Sequence, residues 1–283
     1  MMPISREEFN RLPREEEIFP TMYTDIEIQK TQYMLWRRGC TAAYEYMFVK
    51  KIQPTVIGIE TDTGRDMHAW MKEFFGRVDY TKLEKLRSFR SAYELFKPML
   101  PTHPILYSYA DNFIKFEAAE WERLSNLESP LTYWAPVERE LEIRIPKVGF
   151  FHHIDRIDRL PTGGLIIIDY KPKIHPTSNR EELLFYTIGM MASEKFAEPF
   201  THIGCFGYVT GEAKSWEVKP QALRTVSRHV NEFRTFLHDV RQGKATFTKT
   251  ESMACQWCWF NDICKPADEA KLIGGDEDAS TLE

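Results

Sequence analysis

Residues 149–172 read GFFHHIDRIDRLPTGGLIIIDYKP, and the turn at the centre of this stretch decides how its two halves meet. Proline presets the first position of a tight turn and glycine accepts a left-handed backbone. Pro161-Thr162-Gly163 therefore predicts a three-residue hairpin loop. In that register Leu160 pairs with Gly164, and Asp155 stands directly opposite Asp169. Cross-strand neighbours have Cβ atoms roughly 4.5–5.5 Å apart, close enough for two carboxylates to share a cation. Side chains two apart on a strand share a face, so Lys171 projects beside Asp169 while Tyr170 points away. A slip of one residue would undo the arrangement.

Two carboxylates and an ammonium on one surface have a clear use. The acids can hold one or two Mg²⁺ or Mn²⁺ ions that position a phosphodiester, generate hydroxide from water and stabilise the leaving oxygen. The lysine can orient the attacking water or offset charge in the transition state. The plainer alternative is a hairpin salt bridge, Asp155 or Asp169 with Lys171 or Arg156. Against it, the acids end an apolar Leu165–Ile168 run, where an unpaired carboxylate is costly. His68, in Gly64-x-x-x-His68, is a further candidate, because neutral imidazole joins carboxylates around transition-type cations. His152 and His153 read as strand residues close to Asp155.

Working outward, residues 1–20 contain Pro3, Pro13 and Pro20 and read as a loose arm. Helical spacing of apolar residues predicts a helix from Ile26 to about Lys51. A second is expected over 62–78, burying Met67, Trp70, Met71, Phe74 and Phe75, and mostly helix follows over 81–127 around a break at Pro98–Pro104. The period then changes: strands are expected over 133–145, 148–159 and 164–171, a helix over 181–195, strands near 203–210 and 214–219, and a helix from about 220 to 242. A central sheet flanked by helices results, an α/β or α+β core. No internal repeat and no glycine-rich phosphate loop is present.

The 283 residues, 43% hydrophobic and 28% charged, suffice for a large core. No run is long and apolar enough for a membrane span, and the N-terminus lacks the apolar segment of a signal peptide. A cytoplasmic location with reduced cysteines is the expectation, and a membrane role is not. The net charge of −5 does not exclude DNA as a partner. Residues 268–283 hold six acids against Lys271 and read as a disordered acidic tail, which leaves a nearly neutral body.

Cys255, Cys258 and Cys264 read C-x2-C-x5-C, and Cys40 lies far upstream. Thiolates bind soft metals. Four of them suit tetrahedral zinc or a [4Fe–4S] cluster; two disulfides are the remaining option and do not match a reducing compartment. Cys205, within an apolar strand, reads as a core thiol.

Together these residues resemble the RecB-like branch of the PD-(D/E)XK nucleases over about residues 25–265. Gly64-x-x-x-His68 is similar to that branch's first motif, Gly149…Asp155-Arg156-Ile157-Asp158 to its G-x-x-D-R-x-D strand, and Ile168-Asp169-Tyr170-Lys171 to its D-x-K strand. The glycine stands farther from the aspartate than is usual. The resemblance implies a restriction-endonuclease-like central mixed sheet, divalent metal on His68, Asp155 and Asp169, and a catalytic Lys171. The branch's Q-x-x-x-Y helix appears as Glu182-x-x-x-Tyr186, with Glu182 where glutamine is usual; both residues are candidates for DNA or supporting contacts. One cysteine in an N-terminal helix and C-x2-C-x5-C at the end are similar to the iron–sulfur subgroup of CRISPR-associated exonucleases and AddB-like helicase–nucleases. That subgroup implies a [4Fe–4S] cluster on Cys40, Cys255, Cys258 and Cys264 joining the N-terminal helix to the C-terminal segment, with zinc as the alternative.

The expected organisation is an arm over 1–20, a nuclease domain over 21–267 and a tail over 268–283. The expected activity is Mg²⁺- or Mn²⁺-dependent DNA cleavage, exonucleolytic on single strands or ends, serving recombination, repair or CRISPR spacer acquisition alongside proteins of those pathways. Arg37-Arg38, Lys50-Lys51, Trp257, Trp259 and Phe260 are candidate DNA contacts. The alternative is a catalytically idle DNA-binding or helicase-partner module with a four-cysteine zinc site.

Overall fold

A computed structural model describes residues 18–20, 22–37, 39–52, 59–251, 255, 258 and 260–264. The expected arm (but for 18–20), the acidic tail, Arg38, Trp257 and Trp259 lie outside these residues. The chain divides into two compact units, one of residues 1–33 and 58–245, the other of residues 34–57 and 246–283. No helix among the described residues is long and apolar enough to cross a membrane.

The first unit is a mixed six-stranded sheet with helices packed on it. Its strands are β1 (Ile28–Gln29), β2 (Glu138–Ile145), β3 (Phe150–Arg159), β4 (Leu165–Lys171), β5 (Phe200–Gly207) and β6 (Glu212–Glu217). The order is β1-β3-β4-β5-β6, with β2 paired to β3. β2 runs antiparallel along β3 from Ile157 to Phe150. The other edge of β3 is divided: β1 takes Phe150 and Phe151 in parallel, and β4 takes Arg156 to Arg159 antiparallel. Residues 152–155 lie between the two partners. This divided edge positions the site.

Two expectations need correcting. The helix expected from Ile26 is preceded by β1, because buried Ile28 donates its N–H to Gly149 O at 2.8 Å and lies beside Phe150. Helix α1 (Lys30–Arg37) follows and stops before Gly39, whose φ of +81° suits glycine. The strand expected from residue 133 starts only at Glu138. Pro130 instead opens a short helix that buries Trp134, whose indole N–H donates to Glu117 O at 3.1 Å.

Helices α3 (Ile59–Arg77), α5 (Phe89–Phe96) and α6 (Pro104–Leu124) carry most of one core cluster of this unit, joined in it by short α4 (Tyr80–Leu83) and α7 (Pro130–Trp134). Met67, Trp70, Met71, Phe74 and Phe75 of α3 are buried as expected, against Phe113, Ile114 and Trp121 of α6 and Ile166 and Ile168 of β4. Truncating such an aromatic to alanine costs about 3–5 kcal/mol. Helices α8 (Pro176–Ala192) and α9 (Pro220–Arg241) each begin with proline, where its fixed φ costs nothing and its missing N–H needs no partner. Gly149 closes the turn before β3 at φ +59°; a Cβ there would stand 2.3 Å from Thr24 O.

The second unit joins two distant segments. Its helix α2 (Thr41–Tyr44) widens into a π turn at Glu45–Val49, and α10 (Asn261–Cys264) ends its described part. Ala42 N donates to Thr248 O at 3.1 Å, and Thr248 N donates to Thr41 Oγ1 at 2.7 Å. Tyr44 stacks on Phe247, and Phe260 is buried with Leu35 and Ala43.

Candidate active site

The hairpin forms in the expected register. Arg156 pairs with Ile168, Ile157 with Ile167 and Arg159 with Leu165, and Leu160 N donates to Gly164 O at 3.0 Å. Gly163 takes φ +91°, and Gly164 is left-handed as well, at +84°. The ladder ends at Arg156–Ile168, one pair short of Asp155 and Asp169. There the strands part, and the Asp155 side chain replaces the missing carbonyl: Tyr170 N donates to Asp155 Oδ2 at 2.7 Å. Tyr170 itself turns into the core, where Phe113 packs edge-on against its ring.

The structure brings His68 to this opening. Its Nδ1 lies 3.6 Å from Asp155 Oδ1 and 4.0 Å from Glu140 Oε1. One donor atom from each of His68, Glu140 and Asp155 lies within 4.8 Å of the other two. Gly64, one turn before His68, sits under Tyr208, whose hydroxyl would be 3.2 Å from an added Cβ. Burial lowers the pKa of His68, which keeps the imidazole neutral and its lone pair available.

Glu140 was not expected. It stands across from Asp155 at a point the β2–β3 ladder skips, with φ +49°. A left-handed non-glycine residue is strained by roughly 1–3 kcal/mol, and such strain clusters at functional positions. Glu140 Oε2 lies 2.7 Å from His153 Nε2, which raises the His153 pKa. Glu140 Oε1 is buried without a hydrogen-bond partner among the described residues. The signal for it lay in the Pro146–Gly149 turn, whose register with β3 places residue 140 across from residue 155.

Two ammonium groups complete the cleft. Lys171 Nζ lies 2.7 Å from Asp169 Oδ2 and 2.7 Å from Glu182 Oε1. Lys30, which sequence reasoning missed, places Nζ 2.6 Å from the same Glu182 oxygen. Burial alone would lower the pKa of each lysine, but the neighbouring carboxylates outweigh it and raise both. Glu182 and Tyr186 are one turn apart on α8, both buried, and Lys30 Nζ is 5.8 Å from the centre of the Tyr186 ring. The cleft, about 470 Å³, is lined by Lys30, His68, Lys171 and Tyr186 with Gln29, His153, Asp155 and Asp169.

The charge balance fits a cation. Four carboxylates (Glu140, Asp155, Asp169, Glu182) face two ammonium groups. Burial, and then the charge of Asp169, raise the Asp155 pKa well above the usual carboxylate range. A divalent ion would relieve that burden, and oxygen and imidazole donors suit Mg²⁺ or Mn²⁺.

Other candidates fall outside the cleft. Asp158 is buried and accepts from Arg156 Nε at 2.8 Å, while Arg156 Nη1 donates to buried Glu117. His152 packs among Phe150, Phe185 and Tyr186, and burial depresses its pKa to about 3. Cys205 is buried in β5, as expected. In the second unit Cys40, Cys255, Cys258 and Cys264 are half-buried and form no disulfide. They do not form a close ligand group among the described residues, so as they stand they do not fit a single tetrahedral metal.

No curated protein matches the chain significantly. A family model does, over residues 38–265, a span that includes every site residue above except Gln29 and Lys30. Nucleases of that family act on DNA with divalent metals, in accord with the His68–Glu140–Asp155 group. The chain belongs to the PD-(D/E)XK nuclease superfamily.

Proposed function

We propose that this protein is a Mg²⁺- or Mn²⁺-dependent deoxyribonuclease of the RecB-like branch, acting as an exonuclease on single strands or DNA ends. The observation that carries the reading is the convergence of His68, Glu140 and Asp155 donor atoms beside the Asp169–Lys171 pair. His68, Asp155 and Asp169 would hold the cation, with Glu140 as an added ligand. The bound cation supplies Lewis-acid polarisation of the phosphodiester and activation of water. Lys171, kept protonated by its carboxylate neighbours, donates hydrogen bonds to the attacking water or to the oxygen that gains charge. Asp155 holds the opening of the hairpin through Tyr170 N–H, and Tyr186 walls the cleft beside Lys30. Preference for ends or single strands rests on the resemblance to the RecB-like branch, as does service in recombination, repair or CRISPR spacer acquisition.

The nuclease domain of this reading spans residues 21–267, between an N-terminal arm and an acidic tail. A [4Fe–4S] cluster on Cys40, Cys255, Cys258 and Cys264 is part of the reading. Its support is the packing of the segment after Cys40 on the segment before Cys255, through Thr41, Thr248, Tyr44 and Phe247.

Digestion of a labelled single-stranded oligonucleotide tests the proposal. Wild-type protein should cut with Mg²⁺ or Mn²⁺ and stop on chelation, and Asp169→Ala should be inactive with either ion. An Asp169→Ala variant cutting at the wild-type rate would place the chemistry elsewhere. A wild type that binds DNA without cutting it would make the protein an idle binding module.

A further inference from the structure

One oxygen of Glu182 serves two ammonium groups. Its Oε1 is 2.6 Å from Lys30 Nζ and 2.7 Å from Lys171 Nζ. The two lysines reach it from different elements. Lys30 opens α1 directly after β1, and Lys171 ends β4, the two strands that divide one edge of β3. Lys30 is the more exposed, with 32% of its side chain accessible against 18% for Lys171.

The sharing has a consequence for Lys171. Glu182 is only 7% exposed, and a carboxylate so buried holds its counter-ion more strongly than one in water. If Lys171 were the sole partner of Glu182, turning it toward a phosphodiester would strand a buried charge, which is costly. With Lys30 also in place, Glu182 stays paired when Lys171 moves.

We propose that Lys30 is a positioning residue: it neutralises Glu182 and thereby frees Lys171 to act on the substrate. The proposal rests on the nuclease reading above and deepens it.

The test compares wild type, Lys30→Met, Glu182→Gln and the double variant in single-strand cleavage with Mg²⁺. Lys30→Met should lower kcat by about 10-fold or more, with KM changed by less than about 3-fold, as expected for a group acting in the transition state. Adding Glu182→Gln to Lys30→Met should restore kcat to that of Glu182→Gln alone, because a neutral amide no longer holds Lys171. Unchanged kcat in Lys30→Met, or no recovery in the double variant, would overturn the proposal. So would a KM defect that Glu182→Gln does not relieve, since it would mean that Lys30 contacts DNA directly.

Thermal unfolding gives a second reading independent of catalysis. Lys30→Met and Lys171→Met together should lower Tm by more than their separate effects combined, and the excess should vanish in a Glu182→Gln background. Additive shifts in both backgrounds would overturn the shared-acceptor arrangement, whatever the activity. Should the wild type cut no DNA while the excess appears, the nuclease reading fails but the Lys30–Glu182–Lys171 arrangement stands.

Discussion

The backbone N–H of Tyr170 donates to the Asp155 carboxylate at 2.7 Å, where a hairpin ladder would supply a carbonyl. Asp155 thus serves structure through one oxygen and faces His68 with the other. The two roles can be separated. Asp155→Asn keeps an acceptor for Tyr170 and removes the charge, so it should fold with a Tm near or above wild type yet lose cleavage. Asp155→Ala should lose cleavage and also about 1–3 kcal/mol of stability, the cost of a buried N–H without a partner. Urea melts and the oligonucleotide assay read the two effects separately.

Glu140 sets function against backbone strain. Glu140→Gly should relieve its left-handed backbone and match or exceed wild-type stability by up to about 1 kcal/mol, although glycine normally weakens a strand. The same change, like Glu140→Gln, should weaken Mn²⁺ binding by roughly 10-fold, as loss of a ligand or its support does. Calorimetric Mn²⁺ titration checks the second effect. Unaltered affinity in both variants would remove Glu140 from the ligand set.

A pH dependence of stability should come from Glu117. Burial, only partly offset by Arg156, raises its pKa from 4.5 to about 7. The folded state therefore holds this proton more tightly than the unfolded chain. Its contribution is complete below about pH 4.5 and is lost as pH rises through about 7. A shift of this size corresponds to roughly 3 kcal/mol. Between pH 5 and pH 8 the wild type should lose more stability than Glu117→Gln, by up to that amount. Equal slopes in urea melts would show that Arg156 keeps Glu117 ionised throughout.

The cysteines offer a metal readout. Anaerobically purified protein should be brown and carry about four irons per chain if the cluster forms. Alanine at Cys40, Cys255, Cys258 or Cys264 should remove the iron and destabilise the fold together, whereas Cys205→Ala should keep it. Colourless protein with about one zinc would replace the cluster by a zinc site and leave the cleavage predictions intact.

The hairpin was legible because its information is local: Pro161, Thr162, Gly163 and Gly164 set the turn, and a period of two places Asp155, Asp169 and Lys171. The amphipathic helix around His68 was legible for the same reason, through its 3.6-residue repeat. What escaped rests on a weaker turn signal in one case and on distant pairing in the other. Glu140 reaches Asp155 through the β2–β3 register, and its left-handed backbone obeys no propensity. Lys30 follows a strand of two residues, Ile28 and Gln29, that exists only because Phe150 and Phe151 pair with it; in the sequence Ile28 and Gln29 continue a helical pattern. The distance in sequence between Cys40 and the three C-terminal cysteines hid nothing about ligand type, but it gave no measure of how closely the thiols approach.

The second unit also fixes an order of events during synthesis. Thr41 can meet Thr248 only after some 200 further residues have been made, which takes on the order of 10–40 s at ribosomal rates of 5–20 residues per second. For that interval Leu35, Ala43 and the rings of Tyr44 and Tyr46 lack Phe247 and Phe260, which pack on them in the finished chain. A ribosome that stalls before Phe247 would release a chain with its central sheet encoded in full but this apolar surface permanently uncovered, a ready signal for degradation.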